Sequence, residues 1–245
     1  MRTPRPNLSA LALAAGLPNT SSSVPAAQLP AAPVRPLLKV CGMRDAASLA
    51  EVAALEPDFL GFIFAPNSPR FMGEILTAEL LQSLPPHSWK VGVFVNETPA
   101  RILETAQRFG LSAVQLHGHE TPAECEELSE AGLLVLKAFS VGPALDLAAL
   151  LPYVPFCDFF LFDTKGAAPG GNGTVFDWQL LADYNLPVPY LLAGGLALSH
   201  AAELAALRLP GLVGFDLNSG FETAPGVKDA EKLRQMFSKL KINHK

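Results

Sequence analysis

The sequence predicts an α/β protein: a single (β/α)8 barrel over residues 37–245, preceded by a disordered leader at residues 1–36. Two observations carry this prediction. Eight short apolar segments alternate with eight helix-like segments after residue 36, and such alternation is typical of a parallel sheet. Eight repeats of this unit favour a closed barrel over an open sheet.

The leader differs in composition from the rest of the chain. Residues 1–36 contain no acidic residue and are rich in Pro, Ala and Ser. Arg2 and Arg5 before the apolar LSALALAAGL are compatible with a short signal peptide, and the acid-poor composition is compatible with a transit peptide. We favour a disordered leader, or sequence upstream of a misassigned start codon, because the cysteine content gives no sign of export.

Each predicted strand is a nearly continuous apolar run, as expected when both faces of a parallel sheet are covered. In chain order the strands are LLKVC at 37–41, FLGFIF at 59–64, KVGVFV at 90–95, AVQL at 113–116, LLVLKAF at 133–139, FFLFD at 159–163, PYLLA at 189–193 and VGFDL at 213–217.

The segments between the strands have the Ala, Leu and Glu content of helices. Several begin with Asp, Ser or Thr as candidate N-caps, and Gly closes two of them. The predicted helices occupy 45–55, 77–84, 98–110, 121–132, 144–151, 176–184, 198–208 and 228–240.

The composition excludes several functional classes. The chain is 49% hydrophobic and 17% charged, with a formal net charge of −5, so it offers neither nucleic acid nor an anionic membrane a basic surface. No apolar run approaches the roughly 20 residues of a spanning helix. The three cysteines contain no CxxC pair, which fits neither a disulfide framework nor a zinc site and suits a reducing cytoplasm.

Reactive side chains follow the predicted strands. Cys41 and Asp163 end the first and sixth strands, Arg70 follows the second, and Gln115 and His117 lie at the end of the fourth. In (β/α)8 enzymes the active site lies at the carboxyl ends of the strands. We therefore expect these side chains to share one rim.

Glycines follow the last two strands, where such barrels often bind phosphate through backbone N–H groups. Gly194 and Gly195 follow the seventh strand, and the eighth contains Asp216 and leads into Ser219 and Gly220. We expect Gly194, Gly195, Ser219 and Gly220 to form a phosphate site. Asp216 either hydrogen-bonds a ribose hydroxyl, orients a neighbour or is simply a buried carboxylate.

Each residue also has an ordinary structural interpretation. A buried cysteine such as Cys41 is commonly a small hydrophobe, a Gly-Gly pair is commonly a turn, and Arg70 would serve equally as a solvated surface charge. The segment KGAAPGGNGT at 165–174 is either a flexible loop or an active-site lid. The functional interpretation is favoured because all of these residues fall on one rim.

Lys39 shares one face of the first strand with Cys41, because side chains alternate along a strand. If Cys41 points into the barrel, the Lys39 ammonium lies just beneath the thiol. We expect it to favour the thiolate and to bring the pKa of Cys41 toward neutrality.

Several motifs form one ordered set: KVCG at 39–42, GFIFAPNSPRF at 61–71, VGVFVN at 91–96, VQLHG at 114–118, DTKGAAPGGNGTVFDW at 163–178, LAGGL around Gly194, DLNSGFE at 216–222 and GVKD at 226–229. Over essentially all of 37–240 this set resembles the phosphoribosylanthranilate isomerase family of tryptophan biosynthesis. The departures are small: Arg44 stands where the family often has Thr, and NSG stands where SSG is common.

The resemblance implies a cofactor-free, metal-free Amadori rearrangement of N-(5-phosphoribosyl)anthranilate to the carboxyphenylamino-deoxyribulose phosphate. It implies that Cys41 is the general base, that Asp163 is the general acid and that Arg70 holds the anthranilate carboxylate. The chemistry needs an acid at the furanose oxygen and a base at the C2 proton. Strands one and six are three steps apart in an eight-strand ring, so these groups would face each other across the mouth.

Other interpretations remain open from the residues alone. Indole-glycerol-phosphate synthase would need a lysine and glutamates at strand ends, and only Lys39 and Lys137 are available. A pentulose-phosphate epimerase would need a metal, and a non-catalytic phosphate-binding barrel would be expected to lack Cys41 or Asp163. We expect a cytoplasmic monomer whose partner is a small phosphosugar, without nucleic acid or membrane, and expect Cys125 and Cys157 to serve in packing.

Overall fold

The structure is a computed structural model that describes residues 35–73, 75–164 and 175–242. Eight parallel strands close into a barrel in the order β1 to β8, so the predicted fold class is confirmed. Nearly all of the predicted leader and the predicted loop at 165–174 lie outside the described residues.

The eight predicted barrel strands are all present, with ends that differ by at most a few residues. They are β1 Leu37–Cys41, β2 Phe59–Ile63, β3 Trp89–Phe94, β4 Ala113–Leu116, β5 Leu134–Val141, β6 Phe159–Thr164, β7 Tyr190–Leu192 and β8 Leu212–Leu217. A short antiparallel hairpin follows β8, and the sequence analysis did not predict it. Its strands are β9 Glu222–Ala224 and β10 Val227–Lys228.

Within the described residues, six α-helices pack around the barrel: α1 Ala46–Ala53, α2 Ala78–Gln82, α3 Pro99–Phe109, α4 Pro122–Glu130, α5 Ala201–Ala206 and α6 Ala230–Ile242. A 3-10 turn at Leu198–His200 precedes α5. None of the described helices is long and apolar enough to span a membrane.

Two segments that were predicted to be α-helices do not form them. The segments 144–151 and 176–184 contain only 3-10 turns, at Ala148–Tyr153 and Trp178–Leu181. Pro152 lies inside the first turn and supplies no backbone N–H to extend a helix. Two prolines follow the second within eight residues, at Pro187 and Pro189, and leave little chain for a helix before β7.

Four of the predicted N-caps are confirmed, whereas α5 has no side-chain cap. The side chains of Asp45, Thr77, Thr98 and Thr121 each accept a hydrogen bond from the first turn of the following helix. Such a bond satisfies one of the N–H groups that have no partner within the helix. Together these caps fix where α1 to α4 begin behind their strands.

The barrel interior is layered along its axis. Its lower part is an apolar cluster to which every strand contributes, made of Leu37, Phe59, Val91, Ala113, Leu134, Leu136, Phe159, Leu191 and Val213. Above it, on the same face of β1, lie the buried Lys39 and then Cys41. A larger apolar cluster fills the space between the sheet and the helices and includes Cys125 and Cys157. The lower cluster therefore forms an apolar base beneath the part of the interior that holds the buried Lys39.

Phe159 packs edge-to-face against Phe59 in this lower cluster, with ring centroids 5.9 Å apart. We expect Phe159→Ala to lower the free energy of unfolding by about 3–5 kcal/mol, because it opens a cavity in the packed interior. Urea denaturation followed by circular dichroism measures this change. Leu151→Ala, at a side chain that is 55% exposed, is the control, and we expect it to change stability by only about 0.5 kcal/mol. Equal losses in the two variants would contradict the layered interior.

Candidate active site

The thiol of Cys41 lies at the carboxyl end of β1, where the parallel register pairs it with Gly61 of β2. A Cβ atom on Gly61 would lie 2.7 Å from the Cys41 sulfur, so glycine at this position makes room for the thiol. Gly42 follows with a φ of 80°, and its N–H donates to the Gly61 carbonyl at 2.9 Å. The chain therefore turns away directly behind the thiol, as the sequence analysis expected.

Lys39 and Asp216 form a buried ion pair below Cys41. They are partners in the β1–β8 register, and the Lys39 ammonium donates to Asp216 Oδ2 at 2.8 Å. Neither side chain is appreciably exposed. The second carboxylate oxygen, Asp216 Oδ1, is buried and accepts no hydrogen bond from the described part of the chain.

The expected lowering of the Cys41 pKa is wrong in its net direction. Burial raises the pKa of the Cys41 thiol, and the negative charge of Asp216 raises it further. The charge and hydrogen bond of Lys39 lower the same pKa, as predicted, but they do not outweigh the burial. Lys39 thus lowers the pKa of Cys41 as expected, but its positive charge is partly neutralised by Asp216.

Asp163 lies across the rim and contacts His117, one of the two side chains predicted at the end of β4. His117 Nε2 lies 3.1 Å from Asp163 Oδ2, and Gln115 Nε2 lies 2.8 Å from His117 Nδ1. An amide donor at Nδ1 leaves the ring proton on Nε2, where it faces the carboxylate. The structure therefore joins Gln115, His117 and Asp163 in one hydrogen-bonded row.

The loop that carries His117 is held by a buried carboxylate that the sequence analysis missed. Glu120 accepts hydrogen bonds from the backbone N–H groups of Asn96, at 2.8 Å, and Gly118. It also forms an ion pair with Lys137 at 3.1 Å. The only sequence signal was an acidic residue within the loop after β4.

Both lysines considered for a synthase-like site are engaged in ion pairs. Lys137 donates to Glu120 and to the carbonyls of Leu116, Gly118 and Ala138. Lys39 is held by Asp216. An ammonium held by several fixed acceptors is poorly suited to act as a catalytic lysine, so this arrangement does not favour the synthase interpretation.

Arg70 is not the solvated surface charge that one interpretation allowed. Only 8% of the residue is exposed, and its guanidinium forms a bidentate pair with Glu222 of β9, with Nε–Oε1 at 2.9 Å and Nη2–Oε2 at 2.7 Å. A Cβ on Gly42 would lie 2.8 Å from Arg70 Cδ. The arginine stem therefore borders the residue directly after Cys41.

Glu222 and Lys228 are two further charged residues that were not predicted as site residues. Both lie in motifs of the family resemblance, DLNSGFE and GVKD, but neither motif indicates that the two side chains pair. Lys228 donates to Glu222 at 2.6 Å and to Asn218 Oδ1 at 2.8 Å. The hairpin of β9 and β10 thus brings two more buried charges to the rim beside Arg70.

The glycines predicted to bind phosphate lie where neighbouring loops meet. Gly194 and Gly195 have φ values of 80° and 69°, and a Cβ on Gly194 would collide with Asp163 Oδ1 and Thr164. A Cβ on Gly220 would likewise collide with the carbonyl oxygen of Leu196. Ser219 begins a 3-10 turn. The loops after β7 and β8 are therefore in contact, and the first of them contacts Asp163.

The family comparison covers most of the chain. Residues 38–239 match the family model for N-(5'phosphoribosyl)anthranilate (PRA) isomerase. The curated N-(5'-phosphoribosyl)anthranilate isomerase of Phocaeicola vulgatus is 41% identical over 205 residues, which are 84% of this chain and 98% of that protein.

Solved structures give the same result. The phosphoribosyl anthranilate isomerase from Thermotoga maritima is 35% identical with a TM-score of 0.74, over 83% of this chain and 97% of that chain. A second is 32% identical with a TM-score of 0.72, over the same shares of the two chains, and holds reduced 1-(o-carboxyphenylamino)-1-deoxyribulose 5-phosphate. The Thermotoga protein has also been solved as monomers generated from its dimeric form.

The charges around Cys41 predict opposite effects for two substitutions. We expect Lys39→Met to raise the pKa of Cys41, because it removes the group that favours the thiolate. Asp216→Asn should lower that pKa, because it removes a negative charge from beside the thiolate. The ultraviolet absorbance of the thiolate as a function of pH, with Cys41→Ser as the blank, measures both.

Lys39→Met leaves Asp216 buried without a charge partner, which typically costs about 3–5 kcal/mol of stability. The double variant Lys39→Met/Asp216→Leu avoids this and serves as the folded control. The pKa of Cys41 in the double variant should lie between its values in Lys39→Met and Asp216→Asn. Shifts of the same sign in both single variants would show that the pair does not act on the thiol by charge.

Proposed function

The chain belongs to the N-(5'-phosphoribosyl)anthranilate isomerase family, the aldose–ketose isomerases of tryptophan biosynthesis, and we propose that Cys41 and Asp163 are its general base and general acid. The substrate in this proposal is N-(5-phosphoribosyl)anthranilate, and the product is 1-(2-carboxyphenylamino)-1-deoxyribulose 5-phosphate. The observation that carries the proposal is that Cys41 ends β1 and Asp163 is the penultimate residue of β6, three strands apart on one rim of the closed barrel.

Asp163 acts first in this scheme. Its protonated carboxyl gives a proton to the furanose ring oxygen, the bond from that oxygen to C1 breaks, and the anthranilate nitrogen forms a Schiff base with C1. Asp163 is partly exposed at the rim and touches His117, so both bulk solvent and the imidazole are available to restore its proton. Gly194 favours this role because any larger residue there would displace the carboxylate.

Cys41 acts second. Its thiolate removes the proton from C2 of the Schiff base, and the electron pair left behind forms the enolamine. Loss of the C2 hydroxyl proton and protonation at C1 then give the ketose. A base on a strand end, held by the packing around Gly61, keeps a fixed position relative to the bound sugar.

The remaining site residues bind the substrate in this proposal. Arg70 holds the anthranilate carboxylate through its free guanidinium edge, and Gln115 and His117 line the pocket. The phosphate is bound by the backbone of Gly194, Gly195, Ser219 and Gly220 in the loops after β7 and β8. Lys39 tunes Cys41, and Asp216 orients Lys39 rather than contacting the solvent.

We further propose that the reaction needs no cofactor or metal ion, and that the chain works as a monomer in the cytoplasm on a small phosphosugar. The leader at 1–36 has no part in this chemistry, and residues 37–245 form the isomerase domain. Nucleic acid and membrane partners have no place in this scheme.

The acid and base are tested by Cys41→Ala and Asp163→Asn. We expect each to lower kcat by at least about 10²–10⁴-fold, because each removes one proton-transfer group, with little change in KM. The assay follows the fluorescence of phosphoribosylanthranilate, made in situ from anthranilate, phosphoribosyl pyrophosphate and the transferase that joins them, with a chelator present throughout.

Cys125→Ala, at a cysteine buried between the sheet and the helices, is the matched control and should retain full activity. Turnover that survives in either rim variant would remove that residue from the mechanism. A folded wild-type protein without turnover would overturn the proposed function itself, and chelator-sensitive turnover would overturn the metal-free scheme.

A further inference from the structure

The cluster of Arg70, Glu222, Lys228 and Asn218, here called the hairpin cluster, is not explained by the acid–base chemistry. Glu222 accepts from Arg70 through both Nε and Nη2, from Lys228 and from the Gly226 N–H at 3.1 Å. The side chains of its three charged members are at most 9% exposed. Charges this well removed from water interact strongly with one another and with any ion that approaches them.

The hairpin cluster has an unbalanced charge. Arg70 and Lys228 share the single carboxylate of Glu222, and within the described residues neither cation has a second carboxylate partner. Burial lowers the pKa of Lys228 despite the neighbouring Glu222. Burial also opposes ionisation of Glu222, but the bonds from Arg70 and Lys228 prevail and lower its pKa. With both lysine and arginine charged, the net charge is +1, and an anion would balance it.

One edge of the Arg70 guanidinium remains available for that anion. Glu222 occupies the edge formed by Nε and Nη2. Nη1 donates no hydrogen bond to any residue that the structure describes, so the edge formed by Nη1 and Nη2 is the free fork. A guanidinium fork of this kind binds a carboxylate through two parallel hydrogen bonds.

Lys228 controls how much of the arginine charge is available. Without Lys228, the opposite charges of Arg70 and Glu222 would neutralise each other, and the pair would attract an anion only weakly. With Lys228 on Glu222 Oε1 at 2.6 Å, part of the negative charge is taken up, and Arg70 keeps a larger share of its positive charge for a ligand. Lys228 itself is buried and is held by Asn218 and Glu222, so it acts through Arg70 rather than by contact.

We propose that Lys228 and Glu222 are positioning residues that set the specificity for a carboxylate on the aromatic ring of the substrate. Glu222 fixes the direction of the free Arg70 fork, and Lys228 keeps the cluster positively charged. This inference rests on the proposed function, because the carboxylate that it recognises is that of the anthranilate group.

The test compares two ligands by titration calorimetry. One is reduced 1-(o-carboxyphenylamino)-1-deoxyribulose 5-phosphate, and the other is the same molecule without the ring carboxylate. We expect Lys228→Met to weaken binding of the first ligand by about 10-fold or more, because Glu222 then neutralises more of the Arg70 charge that the ligand carboxylate needs. Binding of the second ligand should stay within about 2-fold, because its phosphate and sugar contacts are unaffected.

Lys232→Met is the matched control. It also removes a lysine charge from an ion pair, here with Asp229, but the Lys232 side chain is 46% exposed. It should leave both affinities unchanged. Lys228→Gln is a second variant that removes the charge but keeps hydrogen-bond donors, and it should repeat the result if Lys228→Met does not fold. Circular dichroism confirms folding of each variant.

Equal losses for both ligands, or no loss for either, would overturn the inference, and so would a wild-type protein that binds both ligands equally well. Wild-type protein that discriminates between the ligands but catalyses no turnover would overturn the proposed function and leave the inference standing.

Discussion

The arrangement of the rim depends on the closure of eight parallel strands, because closure places every second side chain in a space that water does not reach. Leu37, Lys39 and Cys41 occupy successive inward positions on β1. Leu37 joins the apolar lower cluster, Lys39 needs a partner of opposite charge, and Cys41 reaches the rim. A charge at the height of Lys39 is tolerable only because Asp216 occupies the register position beside it on β8. The ion pair is therefore a consequence of barrel geometry as much as of the chemistry above it.

The same constraint explains why the rim charges occur in pairs drawn from different elements. Arg70 follows β2 and is held by Glu222 after β8, while Lys137 on β5 is held by Glu120 after β4. Each carboxylate also accepts backbone N–H groups, at Gly226 and at Gly118 respectively. A buried carboxylate that bonds to both a cation and a loop backbone fixes the loop as well as the charge. The loops after β4 and β8 are thus held to neighbouring parts of the rim by these bonds.

Sequence patterns predicted the strands and the residues at the rim, but they did not predict which rim side chains pair with one another. The strands were predictable because apolar runs such as FFLFD are long enough to be distinctive, and Cys41 and Asp163 stand out where such runs end. Glu222 lies 152 residues from the arginine that it binds, and no local pattern reports a contact at that separation. The 3-10 turns at Ala148–Tyr153 and Trp178–Leu181 were missed for another reason. Their composition is helical, and nearby prolines limit the length of the helix.

The thiol that ends β1 combines two opposing requirements. Burial raises the pKa of Cys41, which makes the thiolate harder to form than at an exposed cysteine and a stronger base once it has formed. In the proposed mechanism, abstraction of the C2 proton benefits from that strength, whereas Lys39 favours formation of the thiolate. Asp216 opposes Lys39 in the same pocket. Without Asp216, Lys39 would favour the thiolate more strongly and would thereby make it a weaker base. In the proposed mechanism, the buried pair therefore balances how often the thiolate forms against how strong a base it is.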